Sequence, residues 1–158
     1  MARRVLVPLV LLASACGGGM AGGSNGVQAT TCPIPIAVAA PQFRRDILPA
    51  LQASCGSLAT SCHGTPPTGH VSYATSMTRT ASDVHADLLK PPASAPASFP
   101  ALVVPNDVPH SWLVEKVTKD APGAPGNYGS RMPQSAPNLC AETVATIESW
   151  INLGALDN

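Results

Sequence analysis

Proline and glycine divide this chain into short segments, and this constrains its fold more than any other feature. The chain has 158 residues, of which 17 are Pro and 13 are Gly. Apolar residues recur at helical spacing only between the Pro- and Gly-rich stretches, and no segment shows the alternation typical of a half-buried strand. The sequence therefore predicts an all-α protein of about four short helices joined by long loops. Such loops are unusual in a small domain, and they are expected where they surround a large bound group that forms part of the core.

The first predicted helix follows residue 42. Phe43, Ile47 and Leu51 recur every four residues and define one apolar face. Pro49 suits a first helical turn, where its missing N–H costs little. Asp46 is the predicted N-cap of this helix.

Two later helices are marked by caps and periodicity. Ser82 is a candidate N-cap for a short helix that ends before Pro91. The last helix has Asn138 as its candidate cap, an apolar face through Ile147 and Ile151, and Gly154 as its C-terminal stop. Residues 42–158 are thus predicted to form the folded domain.

The N-terminus has the features of an export signal. Arg3 and Arg4 precede a short apolar run, and small residues lead to Cys16. The segment before Cys16 resembles the lipobox of bacterial lipoproteins, which implies a signal peptide over 1–15 and a lipid on Cys16. Ordinary cleavage near residue 15 is the alternative. Residues 16–41 are predicted to be a flexible Gly/Ala/Pro-rich tether.

These features predict an exported, lipid-anchored protein, held at the membrane on the periplasmic side of the outer membrane or outside it. The chain contains 9 basic and 9 acidic residues, and it has no stretch of 18 apolar residues that could form a transmembrane helix. Loss of Arg3 and Arg4 leaves 7 basic against 9 acidic groups, a net charge of −2. A basic surface for nucleic acid is therefore not expected.

Cysteine, histidine and methionine form the pattern with the clearest chemistry. Cys62 is followed directly by His63, Cys55 lies upstream, and Met132 lies far downstream before a proline. Covalent haem attachment uses two cysteine thioethers and an adjacent histidine that reaches the iron. A methionine on the opposite face is a common sixth ligand. Six residues separate Cys55 from Cys62, against two in the usual Cys-x-x-Cys-His motif.

The stretch from Phe43 to Ala155 resembles the cytochrome c-like domain of secreted bacterial proteins. The shared motifs, in order, are Ile47-Leu48-Pro49, Cys55, Cys62-His63-Gly64, Pro105-Asn106-Asp107, Ser111-Trp112-Leu113, Met132-Pro133 and Trp150-Ile151-Asn152-Leu153-Gly154-Ala155. The resemblance implies a class-I-like cytochrome c fold, haem c as cofactor, His63 as proximal ligand and Met132 as distal ligand. It also implies electron transfer with other redox proteins rather than enzymatic catalysis.

The cysteines allow other arrangements. If haem takes Cys55 and Cys62, then Cys32 and Cys140 are left as a candidate disulfide; without haem, the four cysteines allow three pairings. Cys55, Cys62, His63 and Cys140 could also supply zinc ligands.

Other side chains have competing interpretations. His70, His85 or His110 could replace Met132 as the sixth ligand. Trp112 and Trp150 suit either the core or the edge of a haem.

Two functions follow from these patterns. The first is a lipid-anchored, extracytoplasmic mono-haem c-type cytochrome that transfers electrons. The alternative is a haemless, disulfide-stapled binding or structural module with a cytochrome-like fold on the cell surface.

Overall fold

The computed structural model describes residues 32–56, 63–64, 71–134 and 137–158. The predictions for the signal peptide and for Cys16, Cys62 and His70 lie outside these residues. Within them, no helix is long and apolar enough to cross a bilayer.

Four α-helices form the described part of the chain. They are α1 (Leu48–Cys55), α2 (Ala81–Leu88), α3 (Trp112–Thr118) and α4 (Ala141–Asn152), and a π-helical turn at Phe43–Ile47 leads directly into α1. The described ranges contain no strand, only two isolated bridges. The all-α prediction is therefore confirmed.

The core lies where α4 contacts α3 and the π-helical turn. Trp150 of α4 stacks on Phe43 of the turn, with ring centroids 5.4 Å apart. Ile147 and Ile151, on the predicted apolar face of α4, are buried beside them. Burial of such side chains contributes about 1.5–3 kcal/mol each, so this cluster fixes both ends of the domain to each other.

The helix starts differ from the predicted caps. Asp46 does not cap α1; its carboxylate accepts the Gln42 N–H at 2.8 Å, because the helical path begins earlier, in the π-helical turn. The predicted cap Ser82 lies inside α2, and Thr80 caps that helix through a reciprocal bond pair with Asp83.

The start of α4 differs from its predicted cap, whereas its end agrees with the predicted stop. The N-cap position is held by Cys140, with no side-chain cap, rather than by the predicted Asn138. At the other end, Gly154 has φ +94°, which favours glycine, and Ala155 N–H donates to Trp150 O at 2.9 Å. The predicted glycine stop is confirmed.

The last ten residues of the predicted tether, 32–41, lie against the domain. The Ile34 and Val38 amides donate to hydroxyl groups of Thr143 and Thr146 on α4. This segment has no apolar periodicity of its own, and backbone bonds to α4 order it instead.

Candidate functional site

A cavity of about 180 Å³ lies between the end of α1, one side of α3 and the loops beside them. Its size is of the order of the ~150 Å³ cavity that accepts one benzene ring. Its lining is mostly apolar and aromatic and includes no carboxylate among the described residues. Three of the four side chains predicted to bind haem line it, namely Cys55, His63 and Met132.

His63 is held in place by three backbone-directed bonds. Its Nδ1 lies 3.0 Å from the Val71 carbonyl oxygen. Its N–H donates to Cys55 O at 3.1 Å, and its own carbonyl accepts the Tyr73 N–H at 2.8 Å. A proton on Nδ1 satisfies the Val71 carbonyl and leaves Nε2 with a free lone pair, which is the arrangement of a metal-ligating histidine.

The protonation state of His63 also suits a ligand. Burial, with a smaller contribution from the positive charge of Lys116, holds the pKa of the imidazole below its usual value, although the bond to Val71 O opposes this. A neutral imidazole is the form that coordinates metals.

Cys55 ends α1 at the cavity wall. Its side chain is buried, and burial raises the pKa of its thiol to about 12. The sulfur is therefore a neutral thiol at physiological pH, which is unreactive towards spontaneous oxidation. The second predicted attachment residue, Cys62, lies outside the described residues.

Met132 approaches the cavity on a loop fastened to α3. Its backbone N–H donates to Lys116 O at 2.7 Å. The Lys116 ammonium donates to Ser130 O at 2.5 Å and to Tyr128 O at 3.2 Å. One residue of α3 thus holds the Met132 loop through both its backbone and its side chain.

Aromatic side chains form much of the wall. Tyr73 is fully buried, which raises the pKa of its phenol, and its ring centroid lies 5.2 Å from that of His63. Trp112 is also buried at the cavity, whereas Trp150 belongs to the core. Trp112 is thus the tryptophan at the candidate site.

Lys116 and Tyr73 are absent from the predicted site. Lys116 could have been found from its spacing, because it lies four residues after Trp112 and so on the same face of α3. For Tyr73 the sequence offered no comparable signal, since its position depends on how the loop after His63 folds back.

Two of the alternative sixth ligands, His85 and His110, are engaged elsewhere, and His70 lies outside the described residues. His85 Nε2 lies 2.6 Å from Ala155 O, and its ring packs edge-on against Phe43. His110 is bonded to Asp107 and largely exposed. Neither histidine lines the cavity.

The remaining described cysteines form a separate cluster. The sulfurs of Cys32 and Cys140 and a carboxylate oxygen of Glu142 lie within 4.8 Å of one another. Cys140 therefore does not join Cys55 and His63, as the zinc interpretation requires. Within the described ranges, this is the one group of three cysteine, histidine or acidic side chains close enough to share an ion.

The cavity thus combines an imidazole, a thioether and a thiol within apolar walls. Such a donor set suits a buried iron centre. No carboxylate faces His63 across the described lining, so an acid–base pair is not formed there. Comparison with protein-family models, curated protein sequences and solved structures found no match to this chain.

Proposed function

We propose that this chain is an extracytoplasmic mono-haem c-type cytochrome, anchored by a lipid on Cys16, that transfers electrons between other redox proteins. The observation that carries the proposal is the shared cavity: Cys55, His63 and Met132, drawn from three separate segments, line the same apolar space.

His63 would be the proximal ligand. The Val71 carbonyl holds Nδ1, so Nε2 is the nitrogen left for iron. The lowered pKa keeps this ring in its neutral, coordinating form. When bound, the haem iron supplies one-electron redox chemistry.

Met132 would be the distal ligand. It is half-buried and packs against the edge of the core from a loop rather than from within a helix. A methionine sixth ligand raises the reduction potential relative to histidine. Lys116 fixes the loop at the residues just before Met132 and at Met132 itself.

Cys55 would provide one thioether to the porphyrin, with Cys62 as the second. The addition of a thiol to a vinyl group forms a carbon–sulfur bond, and the thiol hydrogen goes to the neighbouring vinyl carbon, so no oxidant is needed. Because the Cys55 thiol is buried and protonated, attachment depends on a maturation system rather than on spontaneous reaction.

The cavity is too small to hold a haem without movement of its walls. A porphyrin is several times larger than one benzene ring, so the walls must separate to admit it. Residues 92–94 and the segment from Tyr128 to Met132 are among the non-helical parts of the wall, and their movement breaks no helix. With haem bound, short helices around a haem-sized core would form the class-I-like cytochrome c fold that the sequence resembles.

The charge of the chain bears on its partners. With a mature net charge of −2, derived from 7 basic and 9 acidic residues, strong electrostatic steering towards a redox partner is not expected. Electron transfer would depend instead on close approach of the partner to the haem edge. The N-terminal lipid would keep the domain near membrane-bound redox proteins.

The test compares site variants with a matched control. His63→Ala, Met132→Ala and Met77→Ala are co-expressed with a cytochrome c maturation system. Met77 is fully exposed and does not line the cavity. We expect Met132→Ala to retain haem but lose the spectral signature of methionine ligation, His63→Ala to lose low-spin haem, and Met77→Ala to match the parent.

Two results would reject this assignment. A parent protein that carries no haem and contains two disulfides would establish the alternative, a haemless disulfide-stapled module. Equal spectra for Met132→Ala and Met77→Ala would remove Met132 from the ligand set.

A further inference from the structure

Residues 32–40 form a strap along α4, and hydroxyl groups at intervals of three residues on that helix hold it. Thr143 accepts the Ile34 N–H and donates to the Ile34 carbonyl, both at 3.2 Å. The Val38 N–H donates to Thr146 Oγ1 at 3.0 Å. Further along, Ser149 Oγ donates to Ala39 O at 2.8 Å. The strap therefore has a fixed register on α4.

The strap and α4 satisfy each other's polar groups. Thr143 and Thr146 are completely buried although both are polar. Thr146 Oγ1 donates to Glu142 O within α4 at 2.8 Å and accepts the Val38 N–H, whereas Thr143 Oγ1 bonds both backbone groups of Ile34. A buried polar group that loses its partner is costly, so these bonds favour a strap that stays in place. The strap begins at Cys32, the residue where the described chain starts.

Cys32 lies over the N-terminus of α4, close to Cys140. The two sulfurs are within 4.8 Å of each other. Cys140 is buried and its sulfur lies 3.6 Å from the Ile34 carbonyl oxygen, so the strap also contacts it directly. Cys32 is exposed and outside any helix, so rotation of its side chain can bring the sulfurs to bonding distance, about 2.05 Å.

We propose that Cys32 and Cys140 form a disulfide that fastens the strap, and with it the N-terminal tether, to α4. Both thiols lose their hydrogens, a sulfur–sulfur bond forms, and the two electrons and two protons pass to a disulfide-bearing oxidant, which is reduced to two thiols. Such oxidants are present outside the cytoplasm. The proposal does not depend on haem.

A zinc site is the competing use of the same atoms. Glu142 would be the third ligand, but structural zinc takes four ligands. No fourth cysteine, histidine or acidic side chain joins the three in the residues that the structure describes. The exposed position of Cys32 leaves it open to oxidants, which favours the disulfide.

Peptide mapping tests the pairing directly. The full chain is exported, purified, alkylated without reduction and digested. We expect one species that joins the Cys32 and Cys140 peptides and disappears on reduction. Alkylation of both residues, or a bond from either one to Cys55 or Cys62, would overturn the proposal. The map reads the same bond whether or not haem is bound, so failure here is distinct from failure of the proposed function.

Thermal unfolding gives a second readout. A disulfide that closes a loop of roughly 100 residues is expected to raise Tm by about 10 °C or more. Cys32→Ser should therefore lower Tm by this amount, and Cys140→Ser should lower it no further in the Cys32→Ser background. An unchanged Tm in Cys32→Ser would overturn the proposal. A Tm that rises on addition of Zn²⁺ to a protein with both thiols free would assign the cluster to metal instead.

Discussion

Replacement of Lys116 by Met should loosen the loop that carries Met132. The substitution keeps an unbranched side chain but removes the ammonium, which lies over the Trp112 ring, 5.7 Å from the ring centroid. It removes the donors to the Ser130 and Tyr128 carbonyls. Hydrogen bonds from charged donors contribute about 1.5–3 kcal/mol each when buried. Because Lys116 is partly exposed and water can replace it, we expect a total loss of about 1–2 kcal/mol.

The Met132 amide is a clean reporter of this loss. It donates to the backbone carbonyl of residue 116, a bond that no side-chain substitution removes. A loss of about 1.4 kcal/mol in loop stability corresponds to tenfold faster exchange. Hydrogen exchange of the haem-free protein, followed by NMR, should therefore show Met132 exchanging about tenfold faster in Lys116→Met.

Two control variants isolate the cause. Lys119→Met removes an exposed lysine whose side chain bonds to none of the described residues, so exchange at Met132 should not change. Lys116→Arg keeps a cationic donor and should restore most of the protection. Equal exchange rates at Met132 in Lys116→Met and in the parent would refute the argument that Lys116 positions this loop.

Three further predictions concern the Arg79–Asp87 ion pair, the cavity and the strap. Asp87→Asn should destabilise the protein by about 1–2 kcal/mol at pH 7, because it leaves Arg79 partly buried without its carboxylate. Burial acts to raise the pKa of Asp87, but its two cationic partners hold that pKa below the usual value. The stabilisation is therefore present above the unfolded pKa, about 3.9, and is lost as pH falls through the folded pKa. In urea unfolding, the difference in free energy of unfolding between the parent and Asp87→Asn should be smaller at pH 3 than at pH 7. The imidazole of His63 in the haem-free protein should titrate below its ordinary pKa of about 6.5 because it is buried; an NMR titration at or above that value would contradict this. Thr143→Val, which keeps the side-chain shape, should lower the free energy of unfolding in urea by about 1–2 kcal/mol, because the Ile34 N–H loses its acceptor and the Ile34 carbonyl loses its hydroxyl donor.

The helices could be predicted because their signals are local. On α4, apolar residues at helical spacing and a terminal glycine are enough to define the element and its end. The caps were less predictable, because two residues of a capping type can lie within one or two positions of each other. Thr80 and Ser82 are both good caps, and Thr80 prevails because Asp83 lies three residues after it and completes the reciprocal pair.

Site residues could be predicted only where their residue type and immediate neighbours form a recognisable motif. A cysteine, a histidine before glycine and a methionine before proline are recognisable in sequence, and the three described ones line one cavity. Lys116 and Tyr73 are ordinary residues in sequence, and their roles come from tertiary contacts. The strap was missed for the same reason: its order comes from hydroxyls more than 100 residues away along the chain.

The most direct test of the central proposal is a reduced-minus-oxidised visible spectrum together with an intact mass. Residues 1–16 are replaced by a cleavable export signal without a lipidation cysteine, and the protein is co-expressed with a cytochrome c maturation system. We expect a sharp reduced α-band and a mass greater than that of the polypeptide by one haem. A colourless protein whose mass is that of the polypeptide alone, less the hydrogens lost to disulfides, would contradict it.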